Sequence, residues 1–178
     1  RRQFELDAAG RITSVVDDGT AVERYEYDAL SNIVTQTATA EVDDDGRREY
    51  RGTLLVRDGR TRYSYDDAGR LIRKVTTRLS RKPEVWQYRY DAFDQLSEVT
   101  TPDGVRWRYS YDALGRRTVK SRLAADGSVA ERTVFTWDAT TLVEQSTSDR
   151  VTRWTFRPGT HTPLTQASVP TVELADQG

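Results

Sequence analysis

Tyr109-Ser-Tyr111-Asp112-Ala-Leu-Gly115-Arg116 decides the reading of this chain, because the same pattern keeps returning. It returns nearly whole as Tyr63-Ser-Tyr65-Asp66-Asp-Ala-Gly69-Arg70-Leu71. Altered copies are Tyr25-Glu-Tyr27-Asp28-Ala-Leu-Ser31 and Tyr88-Arg-Tyr90-Asp91-Ala-Phe-Asp94-Gln-Leu96. Weaker ones are Phe4-Glu-Leu6-Asp7-Ala-Ala-Gly10-Arg11-Ile12 and Phe135-Thr-Trp137-Asp138-Ala-Thr-Thr-Leu142. Trp154-Thr-Phe156-Arg157-Pro-Gly159 reads as a degenerate seventh. The motif aspartates stand at 7, 28, 66, 91, 112 and 138, so the spacing is 21 to 26 residues except between Asp28 and Asp66. That longer gap holds an insertion around Glu41–Asp58, itself readable as a copy that has lost its motif.

Each copy reads as strand, tight turn, strand. Side chains alternate along a strand, so both rings of aromatic-x-aromatic point to one face. The aspartate then falls at the strand end, where its carboxylate can bond backbone N–H groups two residues on. Glycine supplies the positive φ that the turn needs. An aliphatic residue such as Ile12, Ile33, Leu71, Leu96 or Leu142 starts the next strand. Between copies, Asp18-Gly19, Asp45-Gly46, Asp58-Gly59, Asp103-Gly104 and Asp126-Gly127 give a second set of hairpin signals. None of the five prolines interrupts a strand pattern. No stretch shows helical periodicity. The expectation is an all-β chain: a repetitive antiparallel meander of roughly 14 strands, one hairpin per repeat. Equivalent tyrosines of successive copies are expected side by side as aromatic ladders. Arg11, Arg70 and Arg116 are expected to pair with a neighbouring Asp or stack on a neighbouring Tyr. The array is read as residues 1–157, and 158–178 as a loop or strand leading out of it.

Composition narrows the function. The chain has 178 residues, with 27 Lys+Arg against 28 Asp+Glu, a net charge of -1. That balance argues against a nucleic-acid binder. With 36% hydrophobic and 31% charged residues there is no apolar run for a membrane span. The first residues show no charged segment followed by an apolar one, as a signal peptide would. The absence of Met, even at position 1, reads as a processed or excised piece. Without Cys, and with His161 as the single histidine, thiolate and most histidine chemistry is excluded. Only three of the 27 basic residues are Lys (Lys74, Lys82 and Lys120).

The motif Tyr-x-Tyr-Asp-x-x-Gly-Arg-Leu is identified as the YD repeat, also called the Rhs repeat. Its fullest copies are Tyr63–Leu71 and Tyr109–Arg116. The stretches Thr136–Gln145 and Trp154–Gln166 resemble the last part of the core of bacterial Rhs polymorphic toxins. The resemblance implies a segment of a very long curved sheet wound into a hollow cocoon. It is the shell that encloses a C-terminal toxin domain in such toxins, and the one shared with insecticidal toxin complexes and animal teneurins. It implies a secreted or cell-surface protein, exported for competition between bacteria. The implied partners are the rest of the shell and its enclosed toxin, with another chain at an open sheet edge as a further candidate. The family's self-cleavage region carries an Asp-Pro-x-Gly-type motif, and this chain has no Asp-Pro step. No catalytic residue, cofactor or metal is therefore expected, and the chain is not read as an enzyme. Ser31-Asn32 and Asp94-Gln95 stand where the family has Gly-Arg. Asn tolerates left-handed backbone, so the turn of the copy at Asp28 is expected to survive.

The residues that carry the reading are structural: Tyr25, Tyr27, Asp28; Tyr63, Tyr65, Asp66, Gly69, Arg70; Tyr88, Tyr90, Asp91; Tyr109, Tyr111, Asp112, Gly115, Arg116; Trp137 and Asp138. The triplet Asp43-Asp44-Asp45 lacks the spacing of a calcium loop and reads as a solvated turn. His161 has no recognisable nucleophile or metal partner in the sequence. Trp86, Trp107 and Trp154, with Trp137, are the candidates for stacking a ligand. They carry the alternative reading, a surface module that binds glycans or a cell-surface receptor. A meander with open edges is also expected to need flanking shell or a partner chain for solubility.

Overall fold

A computed structural model describes residues 1–38 and 47–171. The Asp43–Asp45 triplet and residues 172–178 lie outside the described residues. All sixteen elements are β-strands. The strand count exceeds the expected 14 partly because the insertion itself folds as a hairpin.

The chain divides into two units, Arg1–Val85 and Trp86–Gly178. In the first, β1 (Arg2–Leu6), β2 (Ile12–Asp17), β3 (Thr20–Tyr27) and β4 (Ile33–Ala38) form a four-stranded sheet in chain order. β5 (Arg48–Arg51), β6 (Leu54–Asp58), β7 (Thr61–Tyr65) and β8 (Leu71–Arg78) follow, each antiparallel to the one before. A single bridge, Thr35 to Arg47, links β4 to the start of this second set. β9 (Arg81–Tyr90) crosses the boundary between units. In the second unit β10 (Leu96–Thr100), β11 (Arg106–Tyr111), β12 (Arg117–Leu123), β13 (Val129–Asp138), β14 (Thr141–Ser146), β15 (Arg150–Phe156) and β16 (Pro163–Pro170) pair antiparallel in chain order. The residues of β9 beyond Val85 pair with β10.

Neither unit has a deep core. Among the described residues the buried hydrophobic side chains are Val15, Val99, Leu123 and Val151, and no large side chain is fully enclosed. A layered domain would bury one face of each sheet against another layer. Here the strands instead alternate half-buried and exposed positions, as in Thr61–Tyr65 and Arg106–Tyr111. The sheets are one layer thick. Their order comes from the backbone ladder, from cross-strand contacts and from the turns.

The turns explain the register. Most repeat hairpins carry a register shift just before the motif turn, as between Ser64 and Tyr65 and between Ser110 and Tyr111. That is the signature of a three-residue loop closed by a left-handed residue. Gly69 and Gly115 hold φ of 79° and 76° at that place, and Ser31 and Asp94 hold 65° and 61°. The altered copies thus keep the same turn.

Candidate functional site

The repeated feature with defined chemistry is the aspartate turn. At Asp66, the backbone N–H donates to the Arg70 carbonyl at 3.0 Å and Gly69 N–H donates to the Asp66 carbonyl at 2.9 Å. The Asp66 carboxylate accepts from Ala68 N–H (3.1 Å) and Arg70 N–H (2.9 Å) with Oδ1, and from Arg70 Nε (2.7 Å) with Oδ2. The same set recurs at Asp7 with Ala9 and Arg11, and at Asp112 with Leu114 and Arg116. At Asp28 the amide of Asn32 replaces the guanidinium, at 2.8 Å. At Asp91 the backbone bonds to Phe93 and Gln95 remain. The arginine after glycine therefore serves the aspartate of its own repeat. Arg11 also lies 4.6 Å over the Tyr27 ring of the next repeat.

At Asp7, Asp28, Asp66 and Asp112 these bonds favour the charged carboxylate. The Asp7 and Asp66 carboxyls sit below the usual range, chiefly through the backbone N–H groups of Arg11 and Arg70. The Asn32 amide does the same for Asp28. At Asp112, partial burial pushes upward, but the bonds from Arg116 outweigh it and the carboxyl stays lowered.

Asp138 departs from the pattern. It lies within β13, paired with Thr141 across a two-residue turn whose Ala139 takes φ 47°. With one loop residue fewer, the clasp of the Asp66 kind is not made there among the described residues. Conversely, Thr101–Val105 and Ala124–Ser128 close with the same two backbone bonds as the motif turns, though no motif marks them. Their glycines, Gly104 and Gly127, occupy the left-handed position.

The second aromatic of four copies has a role the sequence reading missed. Tyr27 Oη donates to the Ile12 carbonyl (2.7 Å), Tyr65 Oη to Leu55 (2.8 Å) and Tyr111 Oη to Leu96 (2.9 Å). Trp137 Nε1 donates to Arg117 in the same way, at 2.9 Å. Each acceptor lies at or near the start of the adjacent, preceding strand, so the bond ties one repeat to the one before. Tyr50, inside the insertion, donates to Ile33 at 2.9 Å and fills the same place. The insertion thus holds a repeat stripped of its aspartate. A half-buried hydroxyl calls for a partner, which was the available signal; the acceptor's identity was not.

The expected aromatic ladders are corrected. Tyr25 faces Gln36, Tyr63 faces Lys74, Tyr88 faces Val99 and Tyr109 faces Lys120. Tyr27, Tyr65 and Tyr90 face Ile33, Leu71 and Leu96. A repeat is two strands wide, so equivalent rings stand two strand spacings apart, about 9.6 Å. Cations and aliphatic residues fill the strand between. Arg117 lies 4.3 Å over the Tyr109 ring and Lys120 lies 4.1 Å over Trp107.

All four tryptophans are half-buried. Trp154 Nε1 donates to Gln166 at 3.1 Å. Trp154 and Phe156 line an open cleft of about 560 Å³ with Asp138, Thr140 and His161. His161 Nε2 and Thr140 Oγ1 are 3.0 Å apart across it.

Residues 7–48, 84–106 and 90–129 match the RHS Repeat family. The chain belongs to the RHS-repeat family. It is similar to the probable deoxyribonuclease RhsB of Dickeya dadantii (strain 3937), 37% identical over 147 residues, 79% of this chain and 9% of that protein. It is also similar to the double-stranded DNA deaminase toxin A of Burkholderia cenocepacia (strain H111), at 29% identity over 170 residues, 88% of this chain and 11% of that protein. The RHS-repeat chain thus spans about a tenth of the length of these curated relatives, whose named activities belong to the whole proteins. In fold it resembles a solved structure described as the crystal structure of TcdB2-TccC3-TEV, with a TM-score of 0.64 at 15% identity over 97% of this chain and 10% of that one.

Proposed function

We propose that this chain is wall: a segment of an exported RHS-repeat shell that encloses and protects a polypeptide cargo, with residues 1–157 as the repeat array and 158–178 leading out of it. The observation that carries the reading is the one-layer sheet. It forgoes a core, yet the hairpins at Asp7, Asp28, Asp66 and Asp112 are pinned by a charged turn, and Tyr27, Tyr65, Tyr111 and Trp137 each tie a repeat to its predecessor by a hydrogen bond. That construction suits a thin wall extended by adding repeats. The function is steric, and no residue of the chain is assigned a catalytic role. Cryo-electron microscopy of the full-length protein tests it. A hollow particle with density inside supports the reading, and a solid or open particle overturns it.

A second reading, saccharide binding, is favoured by the cleft where Trp154 and Phe156 meet the hydroxyl of Thr140 and the imidazole of His161. Tryptophan fluorescence titrated with a glycan panel decides it. A saturable change lost in Trp154→Ala supports it, and a flat response to every glycan removes it.

A further inference from the structure

We infer that one face of the sheet in the second unit docks an acidic polypeptide segment. The choice of a polypeptide rests on the enclosure reading above. The near-zero net charge conceals a segregation by structure: aspartates collect at turns, while arginines collect in strands. Directly paired residues share a face. Arg89, Glu98, Arg108, Ser121 and Arg132 stand in one register across β9 to β13. The row is roughly 19 Å wide at the usual strand spacing. Arg106 lies on the same face, two residues from Arg108, and so does Arg153, paired with Glu144.

The two glutamates of this face are largely covered and already engaged. Glu98 is 13% exposed and accepts from Arg106 at 3.2 Å, with Arg108 at 3.8 Å. Glu144 is bound by Arg153 at 2.6 Å. The guanidinium groups point outward instead: Arg89 and Arg132 are exposed and make no ion pair among the described residues, and the Arg108 side chain is 54% exposed. Beside Arg132 is an open cavity of about 500 Å³ lined by Val129, Val134, Ser146, Ser148 and Glu131, whose carboxylate is already paired with Arg122. Val119, Val134 and Val151 run along the same face. The face therefore offers charge for carboxylates next to an apolar strip. It has no stacking platform, because Trp107, Tyr109 and Phe135 occupy the opposite face. Single-stranded nucleic acid would want those rings beside the cations.

The test uses the 178-residue chain and a fluorescent oligoglutamate peptide, read by anisotropy at low and moderate salt. Binding that weakens with salt is expected, and it should fall about tenfold or more in Arg89→Glu/Arg108→Glu/Arg132→Glu. The triple Lys variant should stay within about threefold, since charge is kept. Arg132→Glu alone breaks no ion pair and guards against misfolding; it should weaken binding about threefold. No binding, unchanged binding in the charge-reversed chains, or tighter binding of single-stranded DNA than of oligoglutamate would overturn the inference. Failure of the enclosure reading shows elsewhere, as a particle that is not hollow, and leaves the peptide result standing.

Discussion

Asp7, Asp28, Asp66 and Asp112 each gather backbone N–H groups and a side-chain donor around one carboxylate, and this sets a pH dependence. Their folded-state acidity is raised, so the stability they contribute is fully present above the unfolded value near pH 3.9. It is lost as pH falls through their lower folded values. Thermal melts at descending pH should show the midpoint dropping below about pH 4. In Asp66→Asn the midpoint at neutral pH should be lower and the acid limb shallower. An unchanged acid limb in that variant would mean the clasp does not titrate. At the aromatic position, Tyr65→Phe removes only the hydroxyl that serves the Leu55 carbonyl. A loss of about 1 kcal/mol is expected by denaturant titration, the worth of one partly buried hydrogen bond.

Hairpins are the elements, and their turns set their register. Gly69 has φ of 79°, and a Cβ added there would meet only Leu54 Cδ2, at 4.0 Å. The objection to a side chain there is conformational. Gly69→Ala should cost about 1–2 kcal/mol, whereas Gly69→Asn should cost less, because Asn tolerates left-handed backbone. Equal losses in a chemical denaturation series would show crowding instead. Ser31 and Asp94 make the same point naturally, since both hold the conformation without glycine. The strands and the aspartate turns were legible because alternation and Asp-x-x-Gly are local signals; the hairpin inside the insertion, turning at Gly52, was not. Nor was the lateral order. Which residues flank Tyr63 or Tyr109 depends on a repeat being two strands wide, and the Tyr hydroxyl acceptors lie 10 to 17 residues away in the chain. Asp138 departs because its copy has one residue fewer between the aspartate and the next strand's Leu142 than the copy at Asp66 has before Leu71.

At the scale of the whole chain, thin sheets carry apolar residues at their turn tips. Leu30, Phe93 and Leu114 occupy the same turn position and are 61%, 84% and 75% exposed. Among the described residues β1 pairs with β2 alone and β16 with β15 alone. Single-sided strands and bare apolar tips favour self-association. Light scattering behind size-exclusion chromatography should show the isolated chain growing in mass with concentration. A compact 20.3 kDa monomer at every concentration would show that it satisfies its own edges. Enclosure itself is tested most directly by limited proteolysis of the full-length protein beside its separately expressed cargo. Enclosure predicts cargo that stays intact while the shell is folded and is cut once acid or denaturant opens it. Cargo digested at the same rate inside the native protein as alone would contradict it.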